Sequence, residues 1–518
     1  MKNASKLITR IILIIELVCP FIIATIVSFL LLFVGWEKIG WSGHDNAYFI
    51  LPEFSNKFYG VLSSIVLFLV AFAITLLMEK TIRKKRDLIN CVFLFLISFI
   101  VRLGVLHLII NNASIFPFSD FAQSWELANG IDDSIQYKSL FATWMNYASL
   151  EHLFISVVSH NYLGFIKFNC FVSSLSAPIV YGISRLIFTH DSNCFRISTL
   201  SAILYALYPS SILFAYNSAP DVYVVPLYLC AMLLIMISFK YMQGVDVLKS
   251  VAYMLVAGGL LGASAALKSF GVTVIIAFGI TCTLTIMKHR LLKKEIILFL
   301  CCLIGLFSSY SLVKELILNQ TEKLFNVELD YSTATPHYLL IGLNSEGEGQ
   351  IHIGTQSRLY YQCIIEQGMG IAESKEAAYQ LIQEDWQAEQ NIIKALLLPK
   401  LVWAWQDDLM PLNYISQMTS NQSVSILEDE SITSIASFLE FYYLFLMFVA
   451  IVGSIVILVK HLRNQSALFA TLVVEGFFFI MLLSEAQSRY KYLIMPLVCV
   501  VSSVGLCYLI QKRITKLS

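Results

Sequence analysis

The chain has 518 residues, of which 58% are hydrophobic and only 14% are charged. Soluble domains average roughly 45 to 50% apolar and about 25% charged residues, so this composition excludes an ordinary soluble protein and indicates a chain that lies mainly in a membrane. The formal net charge is zero, which gives no indication of a nucleic-acid partner.

About twelve apolar stretches are long enough to cross a bilayer as helices that rise about 1.5 Å per residue. We therefore predict an all-α polytopic membrane protein with about 12 transmembrane helices, interfacial helices and a mainly helical external domain. The predicted spans lie near residues 11–34, 59–78, 88–110, 167–188, 198–216, 222–239, 250–267, 270–287, 295–313, 436–459, 467–484 and 491–511.

Basic residues predict the orientation of these spans, because Lys and Arg resist translocation. Most of the 35 basic residues, including the runs within 80–86 and 288–294, fall in segments that this threading places on one side. Both termini are therefore predicted to be cytoplasmic, and the functional acids external. The threading divides the chain into a two-span hairpin (1–87), a transmembrane core with a first external loop (88–313, loop 111–166), an external lid domain (314–435) and C-terminal transmembrane helices (436–518).

The first external loop contains FPFSDFAQSWELANG, residues 116–130, directly after the span at 88–110. Asp120 thus lies where lipid ends and water begins, a setting in which the pKa and basicity of a carboxylate can be tuned. The alternative is an ordinary solvated loop acid. Farther along, residues 140–158 could form a helix that lies along the interface.

The second external region, 314–435, is long enough to fold as a lid. Apolar positions at helical spacing between Ser374 and Leu398 predict helices there. Its acidic pair Asp407 and Asp408 belongs either to a solvated acidic surface or to a divalent cation site. Trp403 and Trp405 are predicted to anchor the lid at the membrane interface.

Several kinds of site are missing from the sequence. It contains no Walker loop, GxGxxG, HExxH, GxSxG or CxxC pattern, which argues against a donor or energy source taken from the cytoplasm. Nearly all of the eleven cysteines lie within predicted spans, so they do not predict a disulfide framework.

Four sequence patterns occur in a fixed order along the chain. They are Ser119-Asp120 with the stretch Ala122 to Gly130, LYALYPSSILFAYNSAPDVYVVPLY with its Asp221, Gly342-Leu343-Asn344 with Gly349, and EAQSRYKYLIMP at 485–496. Their order resembles the GT-C superfamily of polytopic glycosyltransferases, and within it the bacterial relatives of the dolichyl-phosphate-mannose protein mannosyltransferases, with Asp221 in the place of one of the family's acids. Phe121 stands where that family often has a second acid, so the sequence departs there from a two-carboxylate pattern.

The resemblance implies a GT-C-like helix bundle and transfer of a sugar from a polyprenyl-phosphate donor to an acceptor hydroxyl on the outer face of the cell membrane. The acceptor, whether glycan, lipid or protein, is left open, and so is a divalent cation (Mg²⁺ or Mn²⁺) held by the two aspartates. The implied roles are general base for Asp120; orienter, metal ligand or second base for Asp221; donor-phosphate binding for Arg489, Lys491 and Lys268; and substrate binding for Tyr490, Asn344, His337 and Glu485.

A polytopic transporter or lipid flippase of the cell envelope is the alternative, because it too would explain many spans and intramembrane acids. The large external region at 314–435 favours the glycosyltransferase, since a transporter does not require it.

Overall fold

The computed structural model describes residues 22, 54–81, 87–111, 114–131, 138–244, 246–289, 293–350, 356–388, 393–405, 407–419, 429–460 and 464–517. The predicted first span at 11–34 lies outside these ranges apart from residue 22, as does most of the hairpin that precedes residue 54.

The described residues form helices joined by short connections. The first half of the chain contains α1 (Phe54–Thr81), α2 (Asp87–Ile110), α3 (Ser119–Ala128), α4 (Ala142–Val157), α5 (Tyr162–Ser174), α6 (Ser176–Ile187), α7 (Cys194–Ala206), α8 (Pro209–Phe214), α9 (Asp221–Gln243) and α10 (Val247–Leu267).

The second half contains α11 (Gly271–His289), α12 (Lys293–Phe325), α13 (Thr335–Leu343), a run of short helical turns over 356–366, α14 (Ile371–Ala388), a short turn Ile393–Leu397, α15 (Leu398–Trp405), α16 (Met410–Thr419), α17 (Asp429–Lys460), α18 (Gln465–Leu483), a 3-10 helix Ser488–Leu493 and α19 (Met495–Leu517).

Eight helical segments among the described residues are long and apolar enough to cross a membrane: α1, α2, the pair α5 and α6, α9, α10, α12, α17 and α18. The shorter apolar helices α7, α11 and α19 overlap three of the other four predicted spans, and the fourth, 11–34, lies outside the described ranges apart from residue 22. The prediction of an all-helical, multi-pass membrane protein is confirmed.

Two predicted spans differ from the helices observed. The stretch at 198–216 is divided into α7 and α8, because the ring of Pro209 disfavours a helical conformation at Tyr208, which is extended (φ −66°, ψ 112°). The stretch at 295–313 continues as one helix, α12, to Phe325. At 33 residues this helix is about 50 Å long, more than a bilayer's apolar thickness requires.

Small residues allow the long helices α10 and α12 to approach closely. In α10, Gly258 and Gly262 lie directly against the backbone of α12 at Leu306 and Tyr310, and a Cβ at either glycine would overlap those carbonyls. This small-xxx-small spacing is typical of helix contacts in membranes, where close van der Waals packing replaces the hydrophobic drive. It holds α10, whose end carries Lys268, in a fixed position.

Arg102 of α2 is a buried arginine whose hydrogen-bond partners are all uncharged groups. Arg102 is fully buried, and its guanidinium donates to the hydroxyls of Ser173 (3.1 Å) and Ser211 (2.8 Å) and to the carbonyl of Ala206 (3.3 Å). Intramembrane charge requires such partners. Arg102 therefore ties α2 to α5, α7 and α8.

The region 314–435, predicted to be an external lid, is helical in its described parts, and the helix predicted at 140–158 is α4. The prediction that Trp403 and Trp405 are interfacial anchors is wrong, because both side chains are buried in protein. Trp405 stacks on Phe478 with ring centroids 4.7 Å apart, and Trp403 donates to Glu348 at 3.2 Å. They fasten the lid to α18 and to its own loop.

The predicted orientation can be checked at two exposed positions separated by three predicted crossings. Cysteine at Glu126 in α3 should react with a membrane-impermeant maleimide from outside intact cells, whereas cysteine at Lys249 in α10 should react only after permeabilisation. If the divided pair α7 and α8 does not cross the membrane, both positions will react from the same side.

Candidate functional site

A cavity of about 750 Å³ lies where the loop 111–166, the ends of several spans and the region 314–435, here called the lid, meet. Seven of the nine predicted site residues line it, although they come from five separate parts of the sequence. They are Asp120, Asp221, Lys268, His337, Glu485, Arg489 and Tyr490.

Asp120 lies in the first turn of α3, where the helix dipole favours a negative charge. Its side chain is half-buried in the cavity wall and makes no hydrogen bond or ion pair with the described residues. Lys138 and Tyr414 lie close enough to interact with its charge. A carboxylate in this state can accept a proton from a bound hydroxyl.

Asp221 begins α9 directly after Pro220, and only 4% of it is exposed. Its Oδ1 accepts a hydrogen bond from Lys268 Nζ at 2.5 Å, which makes a partly buried ion pair. Lys268 ends α10, and its ammonium also lies 4.5 Å from the centre of the Tyr490 ring. Burial lowers the pKa of Lys268, and the charge of Asp221 acts against that shift. Asp221 is therefore placed to orient a cation, rather than to act as a free base.

Arg489 projects into the cavity from the 3-10 helix Ser488–Leu493. Its Nη1 donates to Tyr414 Oη at 3.0 Å, and its Nε has no partner among the described residues. A guanidinium with unused N–H groups is suited to an oxyanion such as phosphate, which it can bind through two parallel hydrogen bonds.

Glu485 supports its neighbour Tyr490 in the cavity wall. The buried carboxylate accepts a hydrogen bond from Tyr490 Oη at 2.6 Å and another from Gln487 Nε2. Because both oxygens are occupied, Glu485 fixes the Tyr490 ring under the Lys268 ammonium.

His337 lies on α13 and is 6% exposed. Burial lowers its pKa to about 4, with the positive charge of Arg358 adding to the shift. The imidazole is therefore neutral at neutral pH. Of the two ligands considered for it, phosphate and sugar, it suits an uncharged sugar hydroxyl better, because it contributes no charge to a phosphate site.

The other two predicted site residues lie outside the cavity. Asn344 is buried, and its Oδ1 accepts from the backbone N–H of Gly347 at 2.8 Å, so it shapes a turn. Lys491 is 1% exposed and donates to the carbonyl of Asp407. Neighbouring side chains on a 3-10 helix diverge by about 120° per residue. For this reason Arg489 faces the cavity, whereas Lys491 points into protein.

Lys491 belongs to a buried cluster of charged groups. Its Nζ lies 3.6 Å from Asp408 Oδ1 and 4.4 Å from the centre of the Tyr443 ring, and Asp408 N donates to Glu440 Oε1 at 2.6 Å. The pair Asp407 and Asp408 is thus buried, at 5% and 4% exposed, and does not form the solvated acidic surface that was one alternative. Burial raises the pKa of Asp408, and Lys491 acts against that shift.

The residues present do not suit a divalent cation well. Across the part of the chain that the structure describes, no group of three or more His, Cys, Asp or Glu side chains is arranged to hold a metal ion. Of the two predicted ligands, Asp221 is paired with Lys268, and Asp120 lies near the ammonium of Lys138. In the other acidic pair, Asp408 lies 3.6 Å from the ammonium of Lys491. Each position that a cation would occupy thus already has an ammonium beside it.

Sequence reasoning missed several cavity residues that only folding brings together. Lys138 Nζ lies 4.5 Å from the centre of the Trp144 ring, and burial lowers its pKa. Tyr414, in the lid, holds Arg489. Aromatic rings make up much of the wall, and flat rings of this kind pack against the apolar faces of sugars. They are Phe118, Phe121, Phe141, Trp144, Tyr331 and Tyr338.

The sequence matches no protein-family model and no curated protein. Two solved structures are similar to this chain. One is the archaeal oligosaccharyltransferase AglB from Archaeoglobus fulgidus in complex with an inhibitory peptide and a dolichol-phosphate, with 11% identity and a TM-score of 0.38 over 95% of this chain and 50% of that one. The other is the apo form of the Archaeoglobus fulgidus oligosaccharyltransferase, with 14% identity and a TM-score of 0.44 over 84% of this chain and 52% of that one.

The chain therefore spans about half the length of these two structures. At such identities and TM-scores the similarity carries no argument about activity. The more specific resemblance to the protein mannosyltransferases stays a prediction.

Proposed function

We propose that this protein is a GT-C glycosyltransferase that moves a sugar from a polyprenyl-phosphate donor to an acceptor hydroxyl outside the membrane. The observation that carries the proposal is the composition of one cavity. It combines a carboxylate at Asp120, which has no hydrogen-bond or ion-pair partner among the described residues, with the cations Lys268 and Arg489, in a wall that is otherwise rich in aromatic rings. Each of these features corresponds to one requirement of the reaction.

The reaction needs a base for the acceptor and positive charge for the leaving group. The acceptor oxygen forms a bond to the anomeric carbon while the bond from that carbon to the phosphate oxygen breaks. Asp120 takes the hydroxyl proton, and the electron pair leaves with the polyprenyl phosphate. Arg489 and Lys268 stabilise the negative charge that develops on that phosphate, in a site with limited access to water.

Asp221 has a supporting role in this scheme. Its ion pair with Lys268 fixes the direction of the ammonium, and the 2.5 Å contact leaves the carboxylate less able than Asp120 to accept a proton. Of the roles considered for Asp221, orientation of a cation fits these contacts better than metal ligation or a second base. The substitution Asp221→Asn should therefore weaken donor binding as well as turnover.

The lipid part of the donor also has suitable surroundings. Apolar side chains from the ends of α10 and α18 line the cavity beside the charged groups: Leu267, Phe270, Phe477, Ile480 and Met481. The first isoprene units of a polyprenyl chain could bury against them at about 25 cal/mol per Å² of apolar surface.

Release of polyprenyl phosphate tests the proposal directly. Purified protein in lipid nanodiscs is incubated with a polyprenyl-phosphate sugar labelled in the sugar, together with membrane extract as a source of acceptor. A glycosyltransferase should release polyprenyl phosphate and transfer the label. Movement of intact donor across reconstituted vesicles without cleavage would instead support the transporter alternative.

Arg489→Ala should weaken binding of the donor by roughly 1.5 to 3 kcal/mol, because it removes charge-assisted hydrogen bonds to the phosphate. Donor affinity can be measured by scintillation proximity with labelled polyprenyl-phosphate sugar. Arg358→Ala is the matched control, since the Arg358 guanidinium packs on the Tyr361 ring outside the cavity (5.3 Å to the ring centre). Equal affinity in the two variants would remove Arg489 from the phosphate site.

A further inference from the structure

A glutamic acid outside the cavity is hydrogen-bonded to both of the elements that carry the cavity's two aspartates. Glu151 on α4 is completely buried. Its Oε2 accepts a hydrogen bond from Ser124 Oγ at 2.6 Å, and its Oε1 accepts one from Ser218 Oγ. The two serines are 94 positions apart in the sequence, yet one carboxyl group joins them.

Each serine is close in the chain to one of the two aspartates. Ser124 follows Asp120 by four residues, so the two lie one turn apart on the same side of α3. Ser218 precedes Asp221 by three residues, in the turn that leads into α9. The position of Glu151 therefore sets where both aspartates lie.

Neither of these elements can hold its place alone. α3 has only ten residues, which is too short for an isolated helix to be stable in water, and the segment 215–220 has no regular structure to fix it. Packing alone would be satisfied by an apolar side chain at position 151, without the penalty of burying a carboxyl group. A carboxyl group, whose two oxygens can each form a hydrogen bond, also fixes the positions of the two elements relative to each other.

Other side chains of α4 bond to neighbouring parts of the site. The hydroxyl of Tyr147, one turn before Glu151, is hydrogen-bonded to Ser218 Oγ at 3.1 Å. Asn146 donates to the carbonyl of Ala266 at 2.9 Å, two residues before Lys268. α4 is thus attached to the Asp120 helix, the Asp221 turn and the end of the helix that presents Lys268.

We propose that Glu151 is a positioning residue, which holds the Asp120 helix and the Asp221 turn in one arrangement so that base and phosphate-binding cations act on the same substrate. This inference rests on the proposed function. Glu151 itself touches no substrate, because it does not line the cavity.

The protonation state of Glu151 identifies its best mimic. Burial raises its pKa to about 8, while Ser124, Ser218 and the charge of Lys138 act against the shift. In the uncharged form that burial favours, the group has one donor and one acceptor, so one of the two serine hydroxyls then accepts from it and the other donates to it. A glutamine side chain has nearly the same shape and hydrogen-bonding capacity, and the serine hydroxyls can rotate to suit it.

The test compares Glu151→Ala with Glu151→Gln. In Glu151→Ala, kcat should fall by about 10 to 100-fold, because small misplacement of a base is costly. The donor KM should rise by a smaller factor, since Arg489 and Tyr414 lie on other elements and only Lys268 is disturbed through the Asp221 turn. Glu151→Gln should restore most of the activity. Adding Glu151→Ala to Asp120→Asn should lower turnover by less than the product of the two single effects, because the part of the Glu151 effect that acts through Asp120 is already lost.

An activity-independent measurement separates failure of this inference from failure of the proposed function. Spin labels at Glu126→Cys on α3 and Leu153→Cys on α4, both exposed positions, report the distance between the two helices in a background without other reactive cysteines. The distance distribution should be narrow with Glu or Gln at position 151 and broad with Ala.

Three results would overturn the inference: an unchanged distance distribution in Glu151→Ala, equal activity loss in the Gln and Ala variants, or full additivity with Asp120→Asn. If Glu151→Ala does not fold, the variant with Ser124→Ala and Ser218→Ala removes both hydrogen bonds and should show the same broad distribution. If Glu151→Ala broadens the distance distribution but the wild-type protein transfers no sugar, the positioning role is supported and only the proposed function is contradicted.

Discussion

Replacement of Asp120 by Asn should lower turnover by about 10² to 10⁴-fold while donor binding is retained. Asn has nearly the shape of Asp but cannot accept the acceptor's proton. The carboxylate is not bonded to other described residues, so its loss breaks no structural contact, and stability should change little. The measurement is the single-turnover rate of polyprenyl-phosphate release at saturating donor, together with donor affinity.

Glu126→Gln provides the matched control for this substitution. Glu126 is an exposed acid on the same short helix, α3, and does not line the cavity. Its amide variant should turn over at the wild-type rate. Wild-type turnover in Asp120→Asn, with folding matched, would show that another group takes the proton and that Asp120 has been wrongly assigned.

Replacement of Lys491 by Met should destabilise the protein by about 3 to 5 kcal/mol, the usual effect of removing one partner from a buried set of charges. Met fills much of the same volume but leaves Asp407, Asp408 and Glu440 without the only ammonium near them among the described residues. The expected result is a lower unfolding midpoint of the purified protein in detergent, measured by a thermal or denaturant titration.

The same variant distinguishes the buried role of Lys491 from the phosphate-binding role that the sequence predicts for it. If Lys491 bound the donor phosphate, Lys491→Met would lower donor affinity and change the stability of the protein little. Lys249→Met serves as the control, because the ion pair of Lys249 with Asp246 is exposed and such pairs contribute only about 0 to 1 kcal/mol. Unchanged stability in Lys491→Met would contradict the assignment of the buried cluster.

The buried cluster also explains why Arg489 points into the cavity. Lys491 fixes the 3-10 helix against Asp407 in the lid and Asp408 in the same segment, and Asp408 in turn accepts hydrogen bonds from Tyr208 (2.5 Å) and Ser210. The lid, the start of α8 and the helix that carries Arg489 are therefore held together. Substitutions that loosen the cluster should therefore also shift Arg489, the proposed phosphate-binding residue.

The sequence by itself determined the class of the protein and predicted seven of the residues that line the cavity. Composition and the length of apolar runs predict a helical multi-pass membrane protein. In a bilayer the backbone must satisfy its own hydrogen bonds, so each span is a helix formed by one continuous apolar segment of the sequence. Asp120, Lys268 and Arg489 all lie near the ends of spans on the same predicted side of the membrane. The threading alone therefore predicts that they belong to one site. The structure places them in one cavity.

The tertiary structure alone decided which neighbouring side chains face that cavity and which are buried. Arg489 and Lys491 have the same charge and lie two residues apart, and their directions differ because of the phase of one 3-10 turn. The pairing of Asp221 with Lys268 and the joining of Ser124 and Ser218 by Glu151 depend on contacts between distant parts of the chain. Local patterns specify spans and their ends, but the direction of a side chain within a bundle is fixed only when the helices pack.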